Sequence, residues 1–175
     1  MNVLLHVCCG VCAAGAAEAL AAEGHRVLGF FYNPNIHPQE EYQKRLDVAR
    51  KVAKELNFPL DIGPYIPEEW LALTDSLKDE PEGGGRCSVC YRMRLQKTFD
   101  YMSNCGADAF TTTLTISPHK SAKIINEIGL EIGGDKFLVR DFKKKDGCKR
   151  AVELAKKWEL YRQDYCGCVY SKTPP

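Results

Sequence analysis

A doubly wound α/β fold, with a mostly parallel five-stranded sheet and helices on both faces, is what this sequence predicts. Three observations carry it. Short apolar runs alternate with segments of helical period along the chain, a pattern that implies a parallel sheet covered on both sides by right-handed crossovers. The first run, Val3-Leu4-Leu5 followed by His6-Val7, is continuously apolar, as a strand buried on both faces is. And 175 residues with 45% hydrophobic composition are about one ordinary domain, large enough to bury a core without covalent staples. The expectation is one domain over residues 1–175, ending in a cysteine-bearing tail.

The elements follow in order. Asn2 to Val7 is the first strand. Cys12 to Glu23 is alanine-rich with Leu20, a strong helix former slim enough to pack closely on a sheet, and Gly24 ends it. Val27 to Tyr32 is the second strand, Asn33-Pro34-Asn35-Ile36-His37-Pro38 a stiff loop, and Gln39 to Leu56 a helix with Tyr42, Leu46, Ala49, Val52, Ala53 and Leu56 on one face. A third strand lies at Phe58 to Ile62. After a turn at Pro64 to Pro67 comes a short helix, Glu68 to Lys78, then an acidic glycine-rich loop from Asp79 to Gly85. Helical period returns from Cys87 to Cys105. Ala109 to Leu114 is a threonine-rich fourth strand, and Ser117-Pro118 cap a helix from His119 to about Ile128. Phe137-Leu138-Val139 is the fifth strand, Lys143-Lys144-Lys145 a basic loop, and Cys148 to Trp158 the last helix. Leu160 to Tyr170 is aromatic and has no clear period.

A net charge of +1 means that any nucleic-acid partner has to be met by a local patch. No apolar run approaches the roughly 18 residues of a membrane span, and Met1 to Val7 lacks the pattern of a signal peptide, so a cytoplasmic location is expected. Nine cysteines are many for a reducing compartment, where clustered thiols more often mean metal or redox chemistry than disulfides.

Seven of the nine fall in three groups: Cys8, Cys9 and Cys12; Cys87 and Cys90; Cys166 and Cys168. Cys105 and Cys148 stand alone. In a doubly wound fold ligands sit at the carboxyl edge of the strands. That edge collects Cys8 and Cys9 after the first strand, which should be central, then Asn33 to His37, Tyr65, Thr111 to Ser117, and Asp141. The turn after the first strand offers Cys8-Cys9-Gly10 in place of a glycine-rich phosphate loop. A four-iron cubane takes about four cysteines, so seven point to two neighbouring centres: an iron–sulfur cluster beside a second metal or a redox-active thiol pair. Structural zinc is the alternative, although four-cysteine zinc sites usually come as two CxxC knuckles. Adjacent residues of an extended chain point to opposite sides, so Cys8 and Cys9 are expected to diverge and serve different centres.

The other polar groups are weighed against plainer roles. His6, inside a strand, reads as a satisfied core histidine rather than a ligand. His37, between two prolines at the active edge, is a candidate for substrate contact. Asp141 is a candidate acid, with a turn or helix cap as the alternative. Arg92 and Arg94 follow the second thiol pair, Lys143 to Lys145 with Lys149 and Arg150 form the densest positive run, and Arg162 lies among Tyr161, Tyr165 and Tyr170. Each fits phosphate contact or base stacking, or else a solvated or packed surface.

One set of motifs spans nearly the whole chain. It comprises His6-Val7-Cys8-Cys9-Gly10-Val11-Cys12, Asn33-Pro34-Asn35-Ile36-His37-Pro38, Glu41-Tyr42 with Arg45, Arg86-Cys87-Ser88-Val89-Cys90-Tyr91, Thr111-Thr112-Thr113-Leu114, Ser117-Pro118-His119-Lys120, Asp141-Phe142, and Leu160 through Ser171 with its Tyr165-Cys166-Gly167-Cys168 core. In these residues the sequence resembles the QueH type of epoxyqueuosine reductase. The resemblance implies an adenine nucleotide alpha-hydrolase (HUP-like) variant of the doubly wound fold. It implies two-electron reduction of the epoxide of epoxyqueuosine to queuosine, at the wobble position of a tRNA anticodon loop and without cobalamin. It also implies a 4Fe-4S cluster, an additional mononuclear iron and an external electron donor. Cys8, Cys9, Cys87, Cys90, Cys166 and Cys168 would be metal ligands. Asp141, Cys12 and His37 would act in catalysis, and Tyr65, Arg92, His119, Lys120 and Arg162 would contact substrate. An electron-transfer protein without an RNA substrate and a zinc-organised tRNA-binding module are the rival readings.

Overall fold

The computed structural model describes residues 1–171. Strands β1 (Asn2–His6), β2 (Arg26–Phe31), β3 (Leu60–Ile62) and β4 (Ala109–Thr112) form one all-parallel sheet in the order β3-β2-β1-β4. β1 lies inside, paired on both sides, which is why Val3, Leu4 and Leu5 are fully buried. Each such side chain contributes about 1.5–3 kcal/mol by leaving water.

The helices are α1 (Gly10–Ala22), α2 (Gln39–Glu55), α3 (Pro67–Thr74), α4 (Gly85–Cys105), α5 (Ala122–Gly133) and α6 (Gly147–Lys157). Strand alternation divides the core in two. Val3, Leu5, Val27 and Phe31 face α1, α2 and α6, whereas Leu4, Phe30 and Phe110 face α4 and α5. α1 is wedged between the sheet, α2 and α6, and its buried Ala13, Ala14, Ala16 and Ala17 let all three approach. Gly10 marks the tightest point: a Cβ there would lie 2.7 Å from the Val48 carbonyl carbon of α2.

The sheet has four strands, not five. Phe137 makes a single parallel bridge to Phe110, and the Leu138 amide donates to the Phe110 carbonyl at 2.8 Å, but pairing goes no further. β4 stays extended through Thr112 before its 3-10 turn, Thr113–Ile116, but the chain after Leu138 does not follow it, and Asn126 of α5 takes the Arg140 backbone amide and carbonyl instead. The cap of α5 is also corrected. Ser121 accepts from the Ile124 amide at 3.3 Å, while Ser117 closes a turn by accepting from the Lys120 amide. No described helix is long and apolar enough to cross a membrane. Residues 172–175 of the expected domain lie outside the described residues.

Candidate metal centre

β1 ends at His6, and α1 begins at Gly10, so Cys8 and Cys9 occupy the junction. Cys9 is the N-cap of α1, its backbone extended (φ −164°, ψ 162°) and its sulfur accepting from the Cys12 amide at 3.3 Å. This turn overturns the expectation that the adjacent thiols diverge. Side-chain alternation holds only within a strand, and here the ladder has already ended. The Cys8 and Cys9 sulfurs lie 4.0 Å apart, and those of Cys8, Cys9 and Cys12 all fall within 4.8 Å of one another. Three thiolates around one tetrahedral ion at about 2.3 Å stand roughly 3.8 Å apart, so this trio needs little adjustment to hold a single metal. Cys12, expected among the catalytic residues, therefore sits with Cys8 and Cys9.

Thr113, the first residue after β4, locks Cys8 in place. Its hydroxyl accepts from the Cys8 amide at 2.9 Å and donates to the Cys8 sulfur at 3.1 Å. The Cys12 and Cys9 thiols beside it, then Arg94 and the Thr113 hydroxyl, hold the Cys8 pKa well below the ordinary thiol value. At Cys9 the Cys12 thiol pulls downward, but the Cys8 thiol and burial outweigh it and the value rises to about 12. Cys12 is raised as well, first by Cys8 and then by Cys9. His6, behind the trio, is the core histidine expected: Nδ1 meets the Thr112 hydroxyl at 2.8 Å and Nε2 the Tyr32 carbonyl at 3.1 Å. Burial, aided by the charge of Arg94, lowers its pKa to about 3 and keeps the ring neutral.

The other four thiols gather opposite. Cys87 and Cys90, three apart on the first turns of α4, line one small cavity with Cys166 and Cys168 of the tail. Asn35, Trp70, Tyr91, Arg86, Arg94 and Lys120 also line it, with the exposed Glu82 as its one carboxylate. Cys90 and Cys168 pack on Trp70, which is 1% exposed. Among the described residues Arg86 Nε and Arg94 Nε are buried N–H donors without a hydrogen-bond partner, and Trp70 faces the Cys90 thiol. Orphaned donors and guanidinium charge around four sulfurs fit an anionic thiolate-bound group. Cys166 is lowered to about 5, mainly by the Cys168 thiol and, against burial, by the Ser171 hydroxyl 2.7 Å from its sulfur. Cys168 is raised by the same contact with Cys166, and Cys90 by burial.

The tail has no regular structure over most of its length, and side chains hold it. Arg45 of α2, 2% exposed, donates Nη1 to the Cys166 carbonyl and Nη2 to the Tyr165 carbonyl, each at 3.0 Å, and stacks on the Tyr165 ring. Glu41 braces Arg45 at 2.7 Å and accepts from the Tyr161 hydroxyl at 2.8 Å. Gly167 has φ +104°, which only glycine adopts easily, and its carbonyl accepts from the His37 amide at 2.8 Å.

A cleft of about 390 Å³ joins the two groups, bordered by Cys8 and Cys12 on one side and Cys166 on the other. His119 and Lys120 line it, as the sequence predicts for substrate-binding residues, together with Gln163 and Asp164. Arg162 lines an adjoining cavity that also touches Cys12. The remaining candidates are not brought there. Tyr65 stacks on Tyr42 and donates to the Ile36 carbonyl at 2.7 Å. Arg92 is exposed and pairs with Glu131 on α5. His37 lies behind the tail, its Nδ1 against the Asn35 carbonyl at 2.9 Å. Asp141 pairs with Lys143 at 3.3 Å and lines a separate groove with Glu18, Arg140 and Arg150. Lys143 also donates to the Thr115 and Lys120 carbonyls and the exposed Arg150 is bound to Glu18; Lys144, Lys145 and Lys149 of the basic run are exposed as well. Sequence reasoning missed Thr113 as a partner of Cys8, Trp70, and the clasp role of Arg45. Arg94 carried a legible signal, since it stands four residues after Cys90 and so on the same helical face.

Comparison with known proteins bears on the fold and the family. Among solved structures, the U34-tRNA thiolase NcsA from Methanococcus maripaludis, solved with its [4Fe-4S] cluster, superposes with a TM-score of 0.60 at 14% identity, covering 99% of this chain and 61% of that one. A predicted subunit of tRNA methyltransferase from Methanocaldococcus jannaschii gives 0.58 at 14% identity, over 89% and 74%. These share the fold. Closer in sequence are proteins named epoxyqueuosine reductase QueH: that of Streptococcus pyogenes serotype M1 is 38% identical over 97% of this chain and 70% of its own, and that of Thermotoga maritima 38% over 97% and 90%. The family model for epoxyqueuosine reductase QueH matches residues 3–174, and the chain belongs to the QueH family of epoxyqueuosine reductases.

Proposed function

We propose that the chain reduces epoxyqueuosine to queuosine in tRNA with two metal centres on one cleft. Cys87, Cys90, Cys166 and Cys168 hold a 4Fe-4S cluster, and Cys8, Cys9 and Cys12 hold a single iron beside it. The observation that carries this reading is the division of seven thiols into a close trio and a quartet that lines one small cavity, with Cys8, Cys12 and Cys166 bordering a shared 390 Å³ cleft. Deoxygenation of the epoxide consumes two electrons and two protons and releases water. When bound, the cluster would supply single electrons from an external donor and the iron a Lewis acid.

The chain's own residues supply the rest. Thr113 and the N-terminus of α1 fix the trio at the end of a fully paired strand, so the reacting centre cannot drift. Lys120, whose backbone carbonyl is tied to Lys143, offers its ammonium to the cleft wall, where it can bind the oxygen that leaves and give it a proton. His119 and Gln163 offer hydrogen-bonding groups to the base that is presented, an anticodon-loop nucleotide being accessible without unpairing a duplex. The exposed lysines 144, 145 and 149 suit phosphate contact.

Anaerobic purification followed by incubation with epoxyqueuosine-containing tRNA and a chemical reductant tests the reading. Brown protein with iron and sulfide, and queuosine in the recovered tRNA, is the expected result. Colourless zinc protein would overturn it in favour of a binding module, and brown protein inert toward the tRNA in favour of an electron carrier. Cys8→Ser is expected to remove one iron and leave the sulfide content unchanged, whereas Cys90→Ser removes both iron and sulfide.

A further inference from the structure

Arg94 is 3% exposed, yet it pairs with no carboxylate among the described residues. A guanidinium out of water is costly unless an anion answers it. Its Nη2 donates to the Asn33 side-chain oxygen at 2.6 Å, and Asn33 in turn donates to the Val7 carbonyl at 2.9 Å, so the fork is anchored on the chain that leads into Cys8. Nη1 lies 3.9 Å from the Cys90 sulfur, and Nε has no partner. Arg94 lines both the cleft beside Cys8 and Cys12 and the cavity of Cys90 and Cys166. Glu82, on the same two walls, is exposed and forms no ion pair with it.

We propose that Arg94 is a positioning residue of the electron-transfer step, a fixed cation between the two thiol groups that raises the reduction potential of the cluster they adjoin. This rests on the reading of the quartet as a cluster site. Uptake of one electron from an external donor adds one negative charge between the thiol groups and moves no proton at Arg94, which stays cationic throughout. In a buried site that charge is screened poorly, so a guanidinium at contact distance favours the reduced state. Asn33 sets where the charge sits.

The experiment is a redox titration of reconstituted wild-type protein, Arg94→Gln and Arg94→Lys, each with its iron and sulfide content measured, following visible absorbance and the electron paramagnetic resonance of the reduced cluster. Arg94→Gln with its full metal content is expected to titrate at a more negative potential and Arg94→Lys at the wild-type potential. Arg94→Gln loaded in full and titrating with the wild type would overturn the inference while leaving the cluster intact. Should Arg94→Gln fail to fold or load, Arg94→Lys decides: full loading at the wild-type potential supports a requirement for charge, and a potential well below wild type overturns it. Wild-type protein that takes up iron but no sulfide would overturn both the cluster and the inference.

Discussion

The two ends of the candidate site hold their thiols by different physics. The trio stands where a central strand becomes a helix: Cys8 follows β1, Cys9 caps α1 and Cys12 lies on its first turn, so regular backbone sets every position. The tail thiols Cys166 and Cys168 lie on irregular chain, and the Arg45 side chain of α2 and the backbone of the loop before it hold them. A site built on the first kind of support fails only when the fold fails. One built on the second can open while the rest of the molecule stays folded.

Substitutions at the two ends should separate these behaviours, and the largest effect belongs to the strand end. Gly10→Ala would place a Cβ 2.7 Å and 2.8 Å from the backbone carbonyl carbon and oxygen of Val48. Backbone atoms cannot rotate away, so the cost should reach the upper part of the overpacking range, about 3 kcal/mol. Urea unfolding is expected to show an earlier single transition, with iron lost in step. A variant as stable as wild type would mean that α1 and α2 slide apart freely.

Arg45→Ala should cost less globally and more locally. Breaking a buried ion pair costs about 3–5 kcal/mol when the remaining charge stays buried, but here Glu41 regains water as soon as the tail lifts. The global cost is then limited to the docking of the tail, roughly 2 kcal/mol from its few charge-assisted hydrogen bonds. Hydrogen exchange should show the amides of residues 160–171 losing protection while those of β1 keep it. Equal loss in both would erase the distinction between the two ends.

The smallest effect lies far from either group. Arg150 of α6 forks onto Glu18 of α1 at 2.7 and 2.8 Å, and this contact, above all, lowers the Glu18 pKa below the ordinary carboxylate value. A carboxyl whose folded-state pKa is depressed stabilises the fold fully above its unfolded value, and the contribution is lost as pH falls through the lowered one. Both side chains are well exposed and water screens the pair, so only a small effect is expected. Glu18→Gln should lower stability slightly at pH 7 and make no difference at pH 2. A difference that persists at pH 2 would assign the effect to packing.

Legibility in the sequence follows the same division. The continuous apolar run of β1 made its burial and central place readable, and the alternation of runs made the parallel sheet readable, because period and hydrophobicity are local properties that the core then enforces. The seven clustered thiols and their edge of the sheet were readable for the same reason. Phe137 to Val139 shows where reading stopped: its composition suits a strand, but a strand needs a continuous ladder, and after one bridge to Phe110 the backbone that follows is held by the Asn126 side chain instead. Asp141, Arg92 and Tyr65 are polar residues near the right elements, and only the fold reveals that their bonds point to Lys143, Glu131 and Ile36.

By itself the sequence determined that an α/β chain carries seven thiols in three clusters, and motif by motif it identified the family. Only the tertiary structure decided how those thiols divide. The direction of Cys8 and Cys9 depends on where the ladder of β1 stops, a matter of pairing with β2 and β4. Cys12 joins them because α1 starts at Gly10. Arg94 gains its place between the two groups because Asn33, 61 residues away, is anchored beside the same turn. Spacing along a chain records which groups are available, and long-range pairing sets which of them meet.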